Sequence, residues 1–137
     1  MNNRKFIFKT LRNSALILAM LSGCSNQQPL PPPEPNSAAA KIIYLGNLSF
    51  ISVNDLRMIP ATATNKFPIV NADIVNNSED YNSIEYRLQW RDQNGIAVGT
   101  EEEWKTLSFS PQQLQRIKGS ATSKYAVDFK LELKSKN

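Results

Sequence analysis

Three consecutive carboxylates, Glu101-Glu102-Glu103, stand out as the densest group of side chains able to do chemistry, followed by the pair Glu79-Asp80. A carboxylate can act as a general acid or base, or hold Ca²⁺, but adjacent side chains splay apart and lack the spaced pattern of a calcium loop. A solvated acidic loop is the expected role, and Asp73 and Asp128 are expected on the polar faces of strands. The chain has no histidine. That removes the usual proton shuttle, the commonest transition-metal ligand, and both Ser-His-Asp and Cys-His nucleophilic arrangements. Its five glycines, at 23, 46, 95, 99 and 119, are too scattered to form a phosphate-binding loop. No catalytic residue, metal site or cofactor is expected, and the chain reads as a non-enzyme.

One residue does have chemistry in prospect. Cys24 is the single cysteine, so no internal disulfide can form. Before it come the basic residues Arg4, Lys5, Lys9 and Arg12, then an apolar run from Ala15 to Leu21, too short to span a bilayer and suited to a signal peptide. Leu21-Ser22-Gly23-Cys24 resembles the bacterial lipobox. The resemblance implies cleavage between Gly23 and Cys24, a diacylglyceryl group on the thiol and an acyl chain on the new amino group. Buried acyl chains contribute ~0.8 kcal/mol per methylene, so the anchor would be nearly permanent. Ser25, rather than aspartate, follows the cysteine, which implies delivery to the periplasmic side of the outer membrane.

Four of the 16 lysines and arginines precede position 24 and none of the 12 acidic residues does, leaving 12 basic against 12 acidic residues beyond the signal. Net charge therefore gives no argument for nucleic acid as a partner. Residues 24–40 carry five of the eight prolines, at 29, 31, 32, 33 and 35. Such a run favours polyproline II and reads as a tether. Signal (1–23), acylated cysteine with tether (24–40) and one folded domain (41–137) are the expected divisions.

The domain is organised around the stretch 84–95. Ile84, Tyr86, Leu88 and Trp90 alternate with Glu85, Arg87, Gln89 and Arg91, the period of a strand with one buried face. Asn94-Gly95 suits a two-residue type I′ turn leading into Ile96-Ala97-Val98. Val70, Ala72 and Ile74 form a second inward face. Tyr125, Val127, Phe129, Leu131 and Leu133 suggest a terminal strand over 124–134. Residues 111–118 suit either a helix capped by Ser110 and ended by Gly119 or a short strand. With no long 3.6-residue period, an all-β, single antiparallel immunoglobulin-like β-sandwich is expected.

Trp90 shares the register of the buried positions. Arg87 and Arg91 project from the opposite face, and with Trp104, whose register is ambiguous, they are the expected partner-binding residues.

The Asn76-Asn77-Ser78 turn, Tyr86-Arg87-x-x-Trp90-x-Asp92-x-x-Gly95, Trp104 and the closing Ala126-Val127-Asp128-Phe129-Lys130-Leu131 together resemble the YcfL family of bacterial lipoproteins. The resemblance spans about Val70 to Leu133 and departs at Ala121-Thr122-Ser123, where the family commonly has a proline. It implies an immunoglobulin-like sandwich with no known enzymatic activity, a strand rather than a helix over 111–118, and a cell-envelope role beside peptidoglycan synthesis. The expected function is thus a non-enzymatic, periplasm-facing lipoprotein that binds an envelope protein. The alternative is a structural or pilotin-like subunit of a secretion or conjugation apparatus.

Overall fold

The computed structural model describes residues 37–136. Cys24, Gly23 and most of the proline-rich run lie outside the described residues. After a single 3₁₀ turn at Ala39–Lys41 the chain forms seven strands: β1 (Ile42–Leu45), β2 (Ile51–Ile59), β3 (Ile69–Asn76), β4 (Asn82–Arg91), β5 (Lys105–Phe109), β6 (Leu114–Ser120) and β7 (Asp128–Ser135). They make a four-stranded sheet in the order β1-β7-β4-β5 and a three-stranded sheet in the order β2-β3-β6. The fold is the all-β sandwich the alternation predicts. One pairing departs from antiparallel: β1 runs parallel to β7, with Ile42 opposite Leu131.

β4 sits between β7 and β5, and its even positions point into the sandwich. Ile84, Tyr86, Leu88 and Trp90 are buried beside Phe129, Leu131 and Leu133 of β7. From the facing sheet come Val70, Ala72 and Ile74, all fully buried, and Ile117. Trp90 and Phe129 are cross-strand partners whose rings meet at 6.2 Å and 53°, the tilted geometry that aromatic quadrupoles favour. Residues 114–120 are strand, settling the 111–118 ambiguity against a helix. Gly119 is there for packing: a Cβ on it would lie 2.1 Å from Leu88 Cδ1, so the two sheets close only over a hydrogen.

Two sequence expectations fail at strand ends, both for local backbone reasons. The turn after β4 is not type I′, because Gly95 (φ +78) is in the left-handed region and Asn94 is not. Instead the Asp92 carboxylate accepts the N–H groups of Asn94 and Ile96, and Gly95 N–H bonds to the Asp92 carbonyl. This builds a three-residue loop, and only Ala97 bridges back to Arg91. The second failure is at 124–127. β7 begins at Asp128, and Tyr125 and Val127 are exposed while Ala126 is buried, the reverse of the expected faces. A turn bond from Ala126 N–H to the Ser123 carbonyl curls the chain before the ladder starts.

β2 carries an extra residue between Asn54 and Arg57 opposite β3, with Asp55 at φ +48. A bulge of this kind kinks an edge strand and protects it from pairing with other chains.

Candidate functional site

The outward positions of the four-stranded sheet form a charged lattice set by register. Arg87 lies opposite Glu132, and Glu85 opposite Lys134. Arg87 Nε donates to Glu132 Oε2 at 2.6 Å, and Lys134 Nζ sits 3.0 Å from Glu85 Oε2. Arg87 also donates to Glu101 from the loop before β5. The hydrogen bond it donates to Glu132, itself buried, is the main reason the Arg87 guanidinium is held above its usual pKa. The cation is therefore fixed in charge and direction.

Trp104 lies across this lattice. Its ring centroid is 4.6 Å from the Arg87 guanidinium carbon and 4.3 Å from Lys134 Nζ. Both distances fall within cation–π range, and a partly desolvated contact of this kind contributes about 1–2 kcal/mol. The indole is half-buried, so it presents part of its surface to solvent on a bed of cations.

Of the three expected partner-binding residues, the fold brings Arg87 and Trp104 together and leaves Arg91 apart. Arg91 donates to Gln89 Oε1 (2.7 Å) and to the Gly95 carbonyl (3.2 Å), so it clamps the loop after β4. Beside Arg87, a cavity of about 150 Å³ opens between β4 and the segment 97–101, lined by Arg87, Gln89, Trp90, Val98, Thr100 and Glu101. It lies where β4 runs on past Tyr86, its last residue paired with β5.

The acidic run is not uniformly solvated. Glu102 accepts the Trp90 indole N–H at 3.2 Å and pairs with Lys105 at 2.8 Å, which raises the Lys105 pKa. Glu101 is taken by Arg87, and only Glu103 remains a plain exposed charge. Asp73 and Asp128 are likewise not free surface carboxylates. Arg116 grips Asp73 through two bonds, at 2.6 and 2.7 Å, and this holds its carboxyl below the ordinary range. Burial pushes Asp128 up, but Lys41 at 2.5 Å and the Phe129 N–H outweigh it and leave the carboxyl lowered. These are structural ion pairs. Among the described residues no three metal-ligating side chains converge.

Sequence reasoning missed Glu132 and Lys134 as members of this surface. Their alternation was visible, but which strand lay beside β4 was not, and only that pairing sets them against Arg87 and Trp104.

Two solved structures share the fold. The crystal structure of Campylobacter jejuni cj0090 matches with a TM-score of 0.54 at 20% identity, covering 70% of this chain and 98% of that one. A DUF1425 family member from Shewanella sp. pv-4 matches with a TM-score of 0.56 at 24% identity, covering 68% of this chain and 87% of that one. No curated protein matches the chain. A family model described as a protein of unknown function matches residues 43–135, nearly the whole sandwich, and the chain thus belongs to the DUF1425 family.

Proposed function

We propose that this protein is a non-enzymatic lipoprotein of the YcfL type, held by acylated Cys24 on the periplasmic side of the outer membrane. There it binds a cell-envelope protein through the Arg87–Trp104–Lys134 face. The observation that carries the binding role is the half-buried indole of Trp104 laid over two cations on an outward sheet face. Tryptophan and arginine are the residues most enriched where interfaces concentrate their energy. Here ion pairs hold Arg87 to Glu132 and Glu101 and Lys134 to Glu85, and Trp104 lies over the two cations so fixed, so a partner meets side chains already ordered.

The address rests on the basic start, the short apolar run and Leu21-Ser22-Gly23-Cys24. Assembly beside peptidoglycan synthesis is supported by the resemblance to the YcfL family. Cys24→Ser should move the protein from the membrane pellet to the soluble periplasmic fraction, or leave it as uncleaved precursor. Mass spectrometry of the wild-type amino terminus should show the acyl chains. An unmodified terminus with a free thiol would contradict the anchor.

A further inference from the structure

The two ends of the sandwich differ in charge. One end gathers the 3₁₀ turn at Ala39–Lys41, the loop 60–68, the loop 92–98 and the loop 121–127. Register fixes this: Ile59, Ile69 and Ser120 are in line across the small sheet, as are Arg91 and Asp128 across the large one. Contacts join the two groups, since Val127 and Met58 line one groove with Ala38 and Lys41, and Thr100 N–H bonds to Thr122 Oγ1. The other end gathers 46–50, 77–81, 110–113 and the chain's close, tied by bonds from Asn77 N–H to the Phe50 carbonyl and from Gln112 N–H to the Ser78 carbonyl.

The first end carries Lys41, Lys66 and Lys124 in its loops, with Arg91 and Lys130 just behind. Its carboxylates are engaged: Asp92 by backbone N–H groups and Asp128 by Lys41. It also exposes Ile96 (62%), Tyr125 (64%) and Val127 (52%), large apolar side chains with no covering element. Lys124 Nζ stands 5.0 Å from the Tyr125 ring. The second end also exposes apolar side chains, Tyr81 (81%) and Leu114 (49%), but sets them beside Glu79 and Asp80, with Lys136 as its one lysine.

The chain enters the fold at the basic end, through Ala38 and Lys41. Twelve residues lie between Cys24 and Ser37 in sequence, so the thirteen steps at ~3.3–3.6 Å each reach at most roughly 45 Å from the anchor point. A patch of Ile, Tyr and Val ringed by lysines, placed where a lipid tether joins, has the chemistry of a surface that rests in a headgroup layer. The aromatic and aliphatic groups enter the interface while the lysines meet anionic lipid.

We infer that this end, built on Ile96, Tyr125 and Val127 with Lys66 and Lys124, docks on the anionic surface of the bilayer that holds the anchor. The domain then stands end-on, with the acidic end pointing away and the Trp104 face alongside, open to a partner. This orientation rests on the lipid anchor proposed above.

The test uses the mature acylated protein, whose only native cysteine is occupied by lipid. Asn94→Cys, at the docking end, and Glu79→Cys, at the far end, each receive an environment-sensitive fluorophore. Each is reconstituted in vesicles of phosphatidylethanolamine with phosphatidylglycerol. The probe at 94 should shift to the blue and lose most of its emission to a lipid-borne spin label, while the probe at 79 stays unquenched. Phosphatidylcholine vesicles should abolish the difference. Lys124→Gln should lower the docked-to-undocked ratio about fivefold, and adding Tyr125→Ser should lower it further. Protein that stays on vesicles with both probes equally quenched overturns the docking and leaves the anchor standing. Protein that does not stay on vesicles overturns both. A blue shift at 94 that ignores lipid composition and grows with protein density assigns the patch to a second copy of the chain, and also overturns the proposal.

Discussion

Trp90→Ala should lower the stability of the domain by roughly 3–5 kcal/mol in urea titration, the range for deleting a buried indole. Trp90 is 3% exposed, packs on Phe129, and donates its N–H to Glu102. The substitution therefore opens a cavity on the inner face of the larger sheet, near the end of β4, and also frees Glu102, which positions Lys105 at the start of β5. Domains of this size have only about 5–15 kcal/mol in hand, so the variant should sit near the folding threshold. Trp90→Phe separates the two contributions. It keeps most of the volume and loses the hydrogen bond, and should cost about 1 kcal/mol beyond its own cavity. Equal costs for the two variants would show that the packing assigned to this ring is wrong.

Asn76→Ala should cost nearly as much, roughly 2–4 kcal/mol by the same titration, although it removes only a carboxamide. Asn76 is fully buried at the end of β3. Its Nδ2 donates to the carbonyls of Asp80 (2.8 Å) and Ser110 (3.0 Å), and its Oδ1 accepts from Ser78 N–H and Ser78 Oγ. Alanine leaves the Ser78 N–H without a partner and strips the Asp80 and Ser110 carbonyls of their shortest bonds, leaving them only longer ones from Asn82 Nδ2, Ser78 Oγ and Gln113 N–H; each unsatisfied buried polar group costs about 1–3 kcal/mol. The isosteric Asn76→Asp should be no better, because an ionised carboxylate cannot donate to two carbonyls. A fully stable Asn76→Ala protein would show that water replaces the side chain and that the loop junction is not organised by it.

How much of this was readable from the residues depended on whether the deciding contact was local. β4 was legible because every second residue from Ile84 to Trp90 is apolar and all four are buried. The bounds of β7 were not, because Tyr125 and Val127 keep the alternation while the Ala126–Ser123 bond takes the chain off the ladder. Composition could not separate a strand that continues from a turn that happens to alternate. The loop after β4 failed for a similar reason: Asn-Gly signals a two-residue turn, but the Asp92 side chain competes for the same N–H groups and wins. The parallel β1–β7 pairing, and the β4–β7 pairing that sets Arg87 against Glu132, are fixed by topology at long range.

The candidate surface shows the same division. Arg87 was found from its place on the polar face of β4. Trp104 has no register of its own with Leu107 and Phe109, and only the cross-strand lattice shows that it folds back over Arg87 and Lys134. Arg91 sits on the same face by period two, yet its bonds to Gln89 and the Gly95 carbonyl make it a clamp. A period assigns a side chain to a face, while its occupation depends on which neighbours the topology supplies.

Site-specific photocrosslinking in living cells tests the binding face most directly. A photoreactive residue at Thr106, on the outward side of β5 next to Trp104, should capture an envelope protein. The adduct should be lost when Trp104→Ala is added, and Lys118, outward on the opposite sheet, should give none. An adduct at Thr106 that survives Trp104→Ala, or equal capture from Lys118, would contradict a partner held by the Arg87–Trp104–Lys134 face.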